Sequence, residues 1–380
     1  MFLMNTYPRK DIAFVRGENS VLFDKNGKKY IDFLSGIAVN TLGYSHQKLK
    51  NALKNQIDEI IHTSNLYENP WQEEVASKLI SFYKDRGKVF FCNSGTEANE
   101  AAIKLTRKYF KDKGKDKYRI ITFKGGFHGR TMGSLSATPR LNLHQGFEPM
   151  LEGFDYAEFN DINSVKSLIT NKTAGIMIEA IQGEGGINEA NLDFLKELEI
   201  LCKENDMLLI LDEVQAGMGR TGKFFAYQYA DIKPDIVTMA KGLGSGLPIG
   251  AVIAKDEISE SFGVGTHGAT FGGNALSCMA ASITLDEIPN LMKDIPSKEA
   301  IFRNALEGFG LLKGKGLMLG LDIKKDCKEI SNELHKRGLV INCTANSVLR
   351  MLPPLVITKE EIEEGLDILT STLKAFINPT

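Results

Sequence analysis

The sequence has few cysteines and histidines, no marked excess of positive or negative charge, and no long apolar run. Five cysteines, an odd number with no C-x-x-C spacing, indicate free thiols in a reducing compartment. Six histidines form no H-E-x-x-H motif or cluster, which argues against a metal site. A net charge of −2 gives no reason to expect nucleic acid or an anionic membrane as a partner. Because no apolar run could span a bilayer and the N-terminus lacks the apolar core of a signal peptide, we expect a cytoplasmic protein.

The pattern along the chain predicts the fold class. The 380 residues are 43% hydrophobic and 25% charged, which is typical of a globular protein, and this length favours two domains. Short strands around an Asn-Gly turn at 26–27 predict an N-terminal hairpin. From about residue 49, six apolar runs alternate with helical patterns, which predicts an α/β fold with a mostly parallel sheet. We expect a large domain over 49–285 and a smaller α+β domain built from residues 1–48 and 286–380.

Charged residues stand at the ends of two successive predicted strands. The apolar run 208–211 ends at Asp212, and the run 236–239 is followed after one residue by Lys241 and a glycine-rich stretch. Ligands of open α/β sheets bind beyond the carboxyl ends of the strands. A lysine can form a Schiff base with an aldehyde cofactor, and a poorly solvated carboxylate can keep a ring nitrogen protonated. The two residues therefore predict a pyridoxal phosphate site in which both have catalytic roles.

Each of these observations has an alternative interpretation. Lys241 could be a surface lysine whose aliphatic stem covers apolar neighbours, but the buried strand before it and the glycines after it favour a buried amine. Asp212 followed by Glu213 could form a Walker B motif, but the required G-x-x-x-x-G-K-[ST] loop is missing from the sequence. Residues 263–268 fit G-x-G-x-x-G, yet no strand closely precedes them and no helical pattern begins there.

Ser94, Gly95 and Thr96 begin a predicted helix directly after the strand 89–92. Free N–H groups and the positive end of the helix dipole suit a phosphate, and the hydroxyl groups add hydrogen-bond donors. Taken alone, these residues are better explained as a helix cap. Their position next to strands that end in Asp212 and Lys241 favours the phosphate site.

The chain resembles the class III, or ω-amino acid, aminotransferases among the fold-type I pyridoxal-phosphate enzymes, and most closely the acetylornithine aminotransferases. The resemblance covers nearly the whole chain in family order. Its motifs are NSGTEANE at 93–100, FHGRT at 127–131, QGEGG at 182–186, LDEVQ at 211–215, GMGRTG at 217–222, AKGL at 240–243, HGATFGGN at 267–274, and Arg350 with PPL at 353–355.

The resemblance implies roles for the matching residues. Lys241 would form the Schiff base and move the proton, Asp212 would pair with the ring nitrogen, and Gln215 would reach the ring hydroxyl. Phe127 would stack on the ring face. Thr270 would reach the phosphate of the other subunit, which implies a homodimer with shared active sites. The implied cofactor-binding set is Ser94, Gly95, Thr96, Phe127, Asp212, Val214, Gln215, Lys241 and Thr270.

The resemblance also implies how two substrates share one site. Arg130 would bind the distal carboxylate, and Arg350 would bind the α-carboxylate of glutamate. Glu184 would pair with Arg350 while the ω-amine donor is bound and release it for glutamate. Gly36 leaves room for an acyl group where ornithine aminotransferases carry a tyrosine. The implied substrate-binding set is Arg130, Glu184, Arg350, Val39, Asn40 and Ala269.

The implied reaction transfers the δ-amino group of N2-acetyl-L-ornithine to 2-oxoglutarate, in arginine biosynthesis. N-succinyl-diaminopimelate stays open as a second donor, and ornithine and 4-aminobutyrate aminotransferases stay open as alternatives. A catalytically silent binding protein with the same fold is the alternative outside enzymes. Three departures from the family pattern concern substrate preference: Gly-Tyr-Ser-His-Gln at 43–47 in place of Gly-His-x-His-Pro, Ala180 in place of proline, and Ala269 in place of serine.

Overall fold

The computed structural model of the protein describes residues 2–377. In chain order the strands are β1 (Phe14–Glu18), β2 (Val21–Asp24), β3 (Lys29–Asp32), β4 (Gly87–Cys92), β5 (Arg119–Phe123), β6 (Phe154–Ala157), β7 (Thr173–Ile178), β8 (Ile181–Gln182), β9 (Asn188–Glu189), β10 (Leu208–Asp212), β11 (Ile236–Met239), β12 (Gly250–Lys255), β13 (Leu311–Lys315), β14 (Met318–Asp322), β15 (Leu339–Val340), β16 (Asn342–Thr344) and β17 (Val348–Met351).

The helical elements fill the connections between these strands. They are α1 (Ser35–Ala38), α2 (Gln47–Glu59), α3 (Pro70–Tyr83), α4 (Gly95–Asp112), α5 (Met132–Ala137), α6 (Leu141–His144), α7 (Ile162–Leu168), α8 (Leu192–Glu204), α9 (Asp256–Ser259), α10 (Ala275–Leu306), α11 (Lys328–Lys336) and α12 (Lys359–Ile377). Within the described chain, no helix combines the length and the apolar character needed to cross a membrane.

A seven-stranded sheet forms the centre of the molecule, in the order β4-β12-β11-β10-β7-β5-β6. β12 runs antiparallel to both of its neighbours, β4 and β11, and the other neighbouring strands pair in parallel. Alternate residues of the central strands face two different cores. Leu209 and Ile176 pack in the core that contains Leu198 of α8, whereas Leu208 and Met177 pack in the core that contains Ala102 of α4. Because helices cover both faces, β7, β10 and β11 are buried throughout, as expected of parallel strands. The predicted α/β fold class is confirmed.

The N-terminal and C-terminal segments share a smaller sheet. Strands β1, β2 and β3 form an antiparallel meander, and β15 adds to β3 in parallel. A second antiparallel sheet has the order β13-β14-β17-β16. Helix α10 crosses residue 285, so the predicted domain boundary lies inside a continuous helix. The division into residues 1–48, 49–285 and 286–380 stays a prediction.

The prediction that the cysteines are free thiols is wrong for two of the five. Cys327 and Cys343 form a disulfide, with 5.5 Å between their Cα atoms, while Cys92, Cys202 and Cys278 are buried and free. The bonded cysteines lie at the start of α11 and in β16. Tertiary packing brings these two elements together, and no spacing motif in the sequence marks such a contact.

Candidate active site

A cavity of about 430 Å³ lies at the carboxyl ends of β10 and β11. It is the location that the parallel sheet predicts for a ligand. Ten of the predicted site residues line it: Val39, Ser94, Gly95, Thr96, Phe127, Arg130, Asp212, Val214, Gln215 and Lys241.

Lys241 lies in this cavity in a strained backbone conformation. It begins the short turn Lys241–Leu243 after β11, and its φ of 45° is in the left-handed region. Burial lowers the pKa of the Lys241 amine, and the neighbouring charge of Glu184 partly offsets this by raising it. The charges of Arg350 and Asp212 also act on the amine. A lysine with a lowered pKa is more often neutral, which is the form that attacks a carbonyl carbon.

Asp212 forms the floor of the cavity and is almost completely buried, with 4% of its surface exposed. Its Oδ2 accepts hydrogen bonds from Asn99 Nδ2 and His128 Nδ1, both at 2.8 Å, and its Oδ1 accepts from the Val214 N–H at 3.1 Å. Asn99 is fixed in turn by the hydroxyl of Thr238, which donates to Asn99 Oδ1 at 2.7 Å. The carboxylate is therefore held in one orientation.

The surroundings of Asp212 favour a positive charge on His128. Burial alone lowers the pKa of His128, but the hydrogen bond and charge of Asp212, together with Glu179, raise it above its usual value. Glu179 follows β7, and burial raises its pKa to about 7 although the nearby His128 lowers it. Its Oε2 accepts the N–H of Phe127 at 3.0 Å and its Oε1 the N–H of Gly183 at 3.3 Å. Glu179 thus links the two loops that border the cavity.

The N-terminus of α4 forms another side of the cavity. Ser94 caps the helix by accepting the N–H of Glu97 at 3.3 Å, so the cap interpretation of its hydroxyl is correct. Thr96 Oγ1 accepts the N–H groups of Arg130 and Thr131 at 3.1 and 3.3 Å. The N–H groups of Gly95 and Thr96 have no partner among the residues described. They are the groups that could donate to an anion here.

Arg350 lies beside the cavity and is completely buried, in the centre of β17. Its Nη1 donates to Glu184 Oε1 at 2.5 Å and to Gln215 Oε1 at 3.3 Å, and its Nε donates to Asn342 Oδ1 at 3.2 Å. Nη2 has no partner in the described part of the chain. Burial raises the pKa of Glu184, but the charge and hydrogen bond of Arg350, together with Lys241 and Gln215, outweigh this and lower it overall. A buried guanidinium with a free N–H edge is suited to a carboxylate ligand.

Four of the residues predicted on the substrate side or at the partner subunit lie in three places. Arg130 is exposed at the mouth of the cavity, with its guanidinium carbon 5.6 Å from the centre of the Phe127 ring. Asn40 is next to Gly246, a residue that lines the cavity. Ala269 and Thr270 line a separate surface cavity and are not brought to Lys241 within this chain.

Three contributors to the site were missed by reasoning from the sequence, namely Asn99, His128 and Glu179. The signals were present, because His128 lies in the same motif as Phe127 and Arg130, and Glu179 directly follows a buried strand. Their roles depend on contacts with Asp212 and with loop N–H groups that local patterns do not reveal.

The residues present fit pyridoxal phosphate. The free N–H groups of Gly95 and Thr96 would hold its phosphate, and Asp212 would hold its ring nitrogen. Gly95 is required where it stands, because a Cβ there would come within 2.6 Å of Val214 Cγ1. Phe127 and Val214 would supply the apolar faces for a ring, and Lys241 the amine that bonds to an aldehyde.

Comparison with known proteins supports the same family. Residues 4–373 match the family model described as aminotransferase class-III. A curated acetylornithine aminotransferase from Aquifex aeolicus is 54% identical over 98% of this chain and all of the relative. The crystal structure of N-acetylornithine aminotransferase from Stenotrophomonas maltophilia is 35% identical, with a TM-score of 0.86 over 98% of both chains. That of ornithine aminotransferase from Toxoplasma gondii is 28% identical, with a TM-score of 0.95 over 100% of this chain and 94% of that one. The chain therefore belongs to the class III aminotransferases and is a pyridoxal-phosphate-dependent transaminase.

Proposed function

We propose that the protein transfers the δ-amino group of N2-acetyl-L-ornithine to 2-oxoglutarate, giving N-acetyl-L-glutamate 5-semialdehyde and L-glutamate. The observation that carries the proposal is the buried guanidinium of Arg350, which pairs with Glu184 and keeps Nη2 without a partner among the described residues. A reaction that alternates between a dicarboxylic acid and an ω-amine donor requires a carboxylate site that can be opened and closed. Relatives that carry the name acetylornithine aminotransferase support the choice of donor.

The cofactor supplies a carbonyl carbon and an electron-withdrawing ring when it is bound. The protein's own residues do the rest. Lys241 Nζ, with its lowered pKa, serves as the nucleophile and carries the proton to and from the substrate carbon. Asp212, whose carboxylate is held by Asn99 and His128, would keep the ring nitrogen protonated through its negative charge. Gln215, which is buried and contacts Arg350, would orient the ring hydroxyl.

Glu184 and Arg350 explain how both half-reactions use one cavity. When the acylated amine enters with its δ-amino group first, no carboxylate is close to the reacting carbon, and Glu184 satisfies Arg350. When glutamate enters, its α-carboxylate takes the place of Glu184 and also engages Nη2. Arg130 at the cavity mouth then binds the carboxylate at the far end of either substrate.

We also propose a homodimer in which Thr270 serves the site of the partner subunit. Several large apolar side chains near the surface cavity of Thr270 are exposed, including Leu66 at 87% and Phe271 at 60%. An apolar surface of this kind is typical of an interface between subunits. Sedimentation of the purified protein should give twice the mass of the chain, 42.0 kDa. A monomer that is fully active would contradict the shared site. A cytoplasmic location stays a prediction.

A half-reaction separates the proposed donor from its alternatives. Cofactor-loaded protein is mixed with N-acetylornithine, ornithine, 4-aminobutyrate or N-succinyl-diaminopimelate in the absence of a keto acid, and the visible absorbance is followed. We expect the fastest bleaching with N-acetylornithine and recovery of the band on addition of 2-oxoglutarate. Faster bleaching by ornithine or 4-aminobutyrate would replace the proposed donor and keep the transaminase.

Lys241→Ala tests the identity of the reactive amine. We expect the variant to fold and to bind the cofactor without a covalent link, with kcat lower by a thousandfold or more, on the order of 4 kcal/mol. Borohydride reduction followed by peptide mass spectrometry should find the cofactor on Lys241 in the wild type. Lys124→Ala, an exposed lysine that pairs with Glu158, is the matched control and should keep full activity. Covalent labelling of the Lys241→Ala protein would disprove the assignment.

A further inference from the structure

A left-handed turn precedes the cavity residues Val39 and Asn40. All four residues of α1, Ser35–Ala38, have positive φ angles of 47°, 65°, 68° and 62°. Only one of them is glycine, and Ile37 is β-branched. A left-handed helical residue other than glycine costs roughly 1–2 kcal/mol, so such a turn persists only where the surrounding structure imposes it. Strain of this kind is concentrated at functional sites.

The carboxylate of Asp32 holds this turn in place. Asp32 is 1% exposed, and its Oδ1 accepts the N–H groups of Leu34 at 2.7 Å and Ser35 at 2.9 Å. Its Oδ2 accepts the phenol of Tyr44 at 2.5 Å. The Ser35 hydroxyl adds a bond to the Leu352 carbonyl at 2.6 Å. Asp32 therefore fixes the start of the turn and the ring of Tyr44 together.

Tyr44 in turn positions the side chain of Asn40. The amide nitrogen of Asn40 donates to Tyr44 Oη at 3.3 Å. Asn40 Oδ1 lies 3.1 Å from the position that a Cβ on Gly246 would occupy, and Gly246 lines the cavity of Lys241. Asn40 Nδ2 lies 3.2 Å from the corresponding position on Gly36. One N–H of the Asn40 side chain, and its carbonyl oxygen, have no partner within residues 2–377.

The chemistry of a side-chain amide discriminates between two kinds of donor. A primary amide with one free N–H and a free carbonyl can donate to the carbonyl of a secondary amide or accept its N–H, one at a time, because the two groups of a trans amide point in opposite directions. An ammonium group can use only the carbonyl. The carboxylate that would stabilise an ammonium, Asp32, is buried and already accepts three hydrogen bonds.

We propose that Asn40 binds the acyl amide of the amino donor and that Tyr44, held by Asp32, is the positioning residue that sets the selectivity for an acylated amine. This proposal rests on the proposed function and deepens it. Tyr44 stands where the family pattern has histidine, so the arrangement is a property of this sequence.

Asn40→Asp tests the proposal directly, because it keeps the size of the side chain and replaces its donor with a negative charge. We expect kcat/KM for N-acetylornithine to fall about thirtyfold and that for ornithine to be unchanged or to rise. Calorimetry with N2-acetyl-L-norvaline, which lacks the reacting amine, should give a dissociation constant raised by a similar factor. If the ratio of kcat/KM for N-acetylornithine to kcat/KM for ornithine equalled the wild-type ratio, the role of Asn40 would be overturned.

Tyr44→Phe tests the positioning role. Loss of the phenol removes its hydrogen bonds to both Asp32 and Asn40 and should raise KM for N-acetylornithine about fivefold, while kcat and the KM for glutamate keep their wild-type values. Tyr229→Phe removes a phenol that donates to the Thr221 carbonyl at 2.8 Å, away from the cavity, and is the control for a general loss of stability. Equal losses with N-acetylornithine and glutamate would overturn the role of Tyr44. A wild type that prefers a free amine would instead contradict the proposed function itself.

Discussion

The cavity has a cofactor wall, which contains Asp212, and a substrate wall, formed by Arg350 behind Gln215. The two walls differ in how completely hydrogen bonds satisfy their charged groups. On the cofactor wall, Asp212 is fixed by three hydrogen bonds, and its partners Asn99 and His128 are themselves buried. On the substrate wall, Arg350 is equally buried, but its Nη2 has no partner among the described residues, and its charged partner, Glu184, has a side chain that is 26% exposed. A hydrogen-bond network in which every polar atom has a partner suits a charge that binds the same group throughout the reaction. A network with an unpaired donor suits a charge that must exchange one ligand for another.

The largest effect should come from the cofactor wall. Asp212→Asn keeps the shape of the side chain and removes its charge, so the ring nitrogen and His128 both lose their anionic partner. We expect kcat/KM to fall about a thousandfold with every donor, about 4 kcal/mol, and this is measured by steady-state kinetics. Asp322→Asn, a buried aspartate that pairs with Lys324 outside the cavity, should keep its activity. A loss confined to one substrate would break the distinction between the walls.

The next largest effect should come from Arg350→Lys, and it should depend on the substrate. Lysine keeps the charge but cannot form the two parallel hydrogen bonds of a guanidinium. We expect kcat/KM for glutamate to fall about a hundredfold, near 3 kcal/mol, and that for N-acetylornithine less than tenfold. Single-turnover rates with each substrate separate these two values. Equal losses of kcat/KM for both substrates would mean that Arg350, like Asp212 on the cofactor wall, serves both half-reactions alike.

Much of this arrangement could be predicted from the sequence. Runs of four or five residues predicted six of the seven strands of the central sheet but not β6, and the residues after two of them predicted Lys241 and Asp212. The antiparallel direction of β12 could not be predicted, because a buried strand has the same spacing of apolar residues and the same composition whether it runs parallel or antiparallel to its neighbours. The contacts of His128 with Asp212 and of Tyr44 with Asp32 span 84 and 12 positions, and local patterns carry no information about such partners.

A smaller effect is expected for Glu184→Gln, which changes the exchangeable partner. The neutral side chain competes less strongly for Arg350, so glutamate gains access to the guanidinium while the ω-amine donor meets an uncompensated charge. The ratio of kcat/KM for N-acetylornithine to that for glutamate should fall about tenfold. Glu158→Gln, an exposed glutamate that pairs with Lys124, is the control. An unchanged ratio would mean that Glu184 only completes the structure.

The smallest effect concerns pH and Glu213, which is buried behind the cofactor wall. Burial raises the pKa of Glu213 to about 8, although the N–H groups of Ala226 and Tyr227 lower it. Since the pKa in the folded state is higher than in the unfolded state, its contribution to stability is fully present below about pH 4.3 and is lost as the pH rises through 8.

The wild-type melting temperature should therefore fall between pH 6 and pH 9 by several degrees more than that of Glu213→Gln. Thermal unfolding of the cofactor-free proteins across this range measures the difference. Parallel curves for the two proteins would show that Glu213 is ionised at neutral pH in the folded protein.

The site draws on residues from both ends of the chain, since Val39 lines the cavity and Arg350 contacts the lining residue Gln215 (350 − 39 = 311 positions apart). Such a constellation exists only once the central sheet and the smaller sheets have assembled. A ligand that recognises it binds the native chain and not the unfolded one. Supply of the cofactor therefore acts on the abundance of the enzyme as well as on its catalysis: at one hundred times its dissociation constant it adds about 2.7 kcal/mol to the free energy of unfolding.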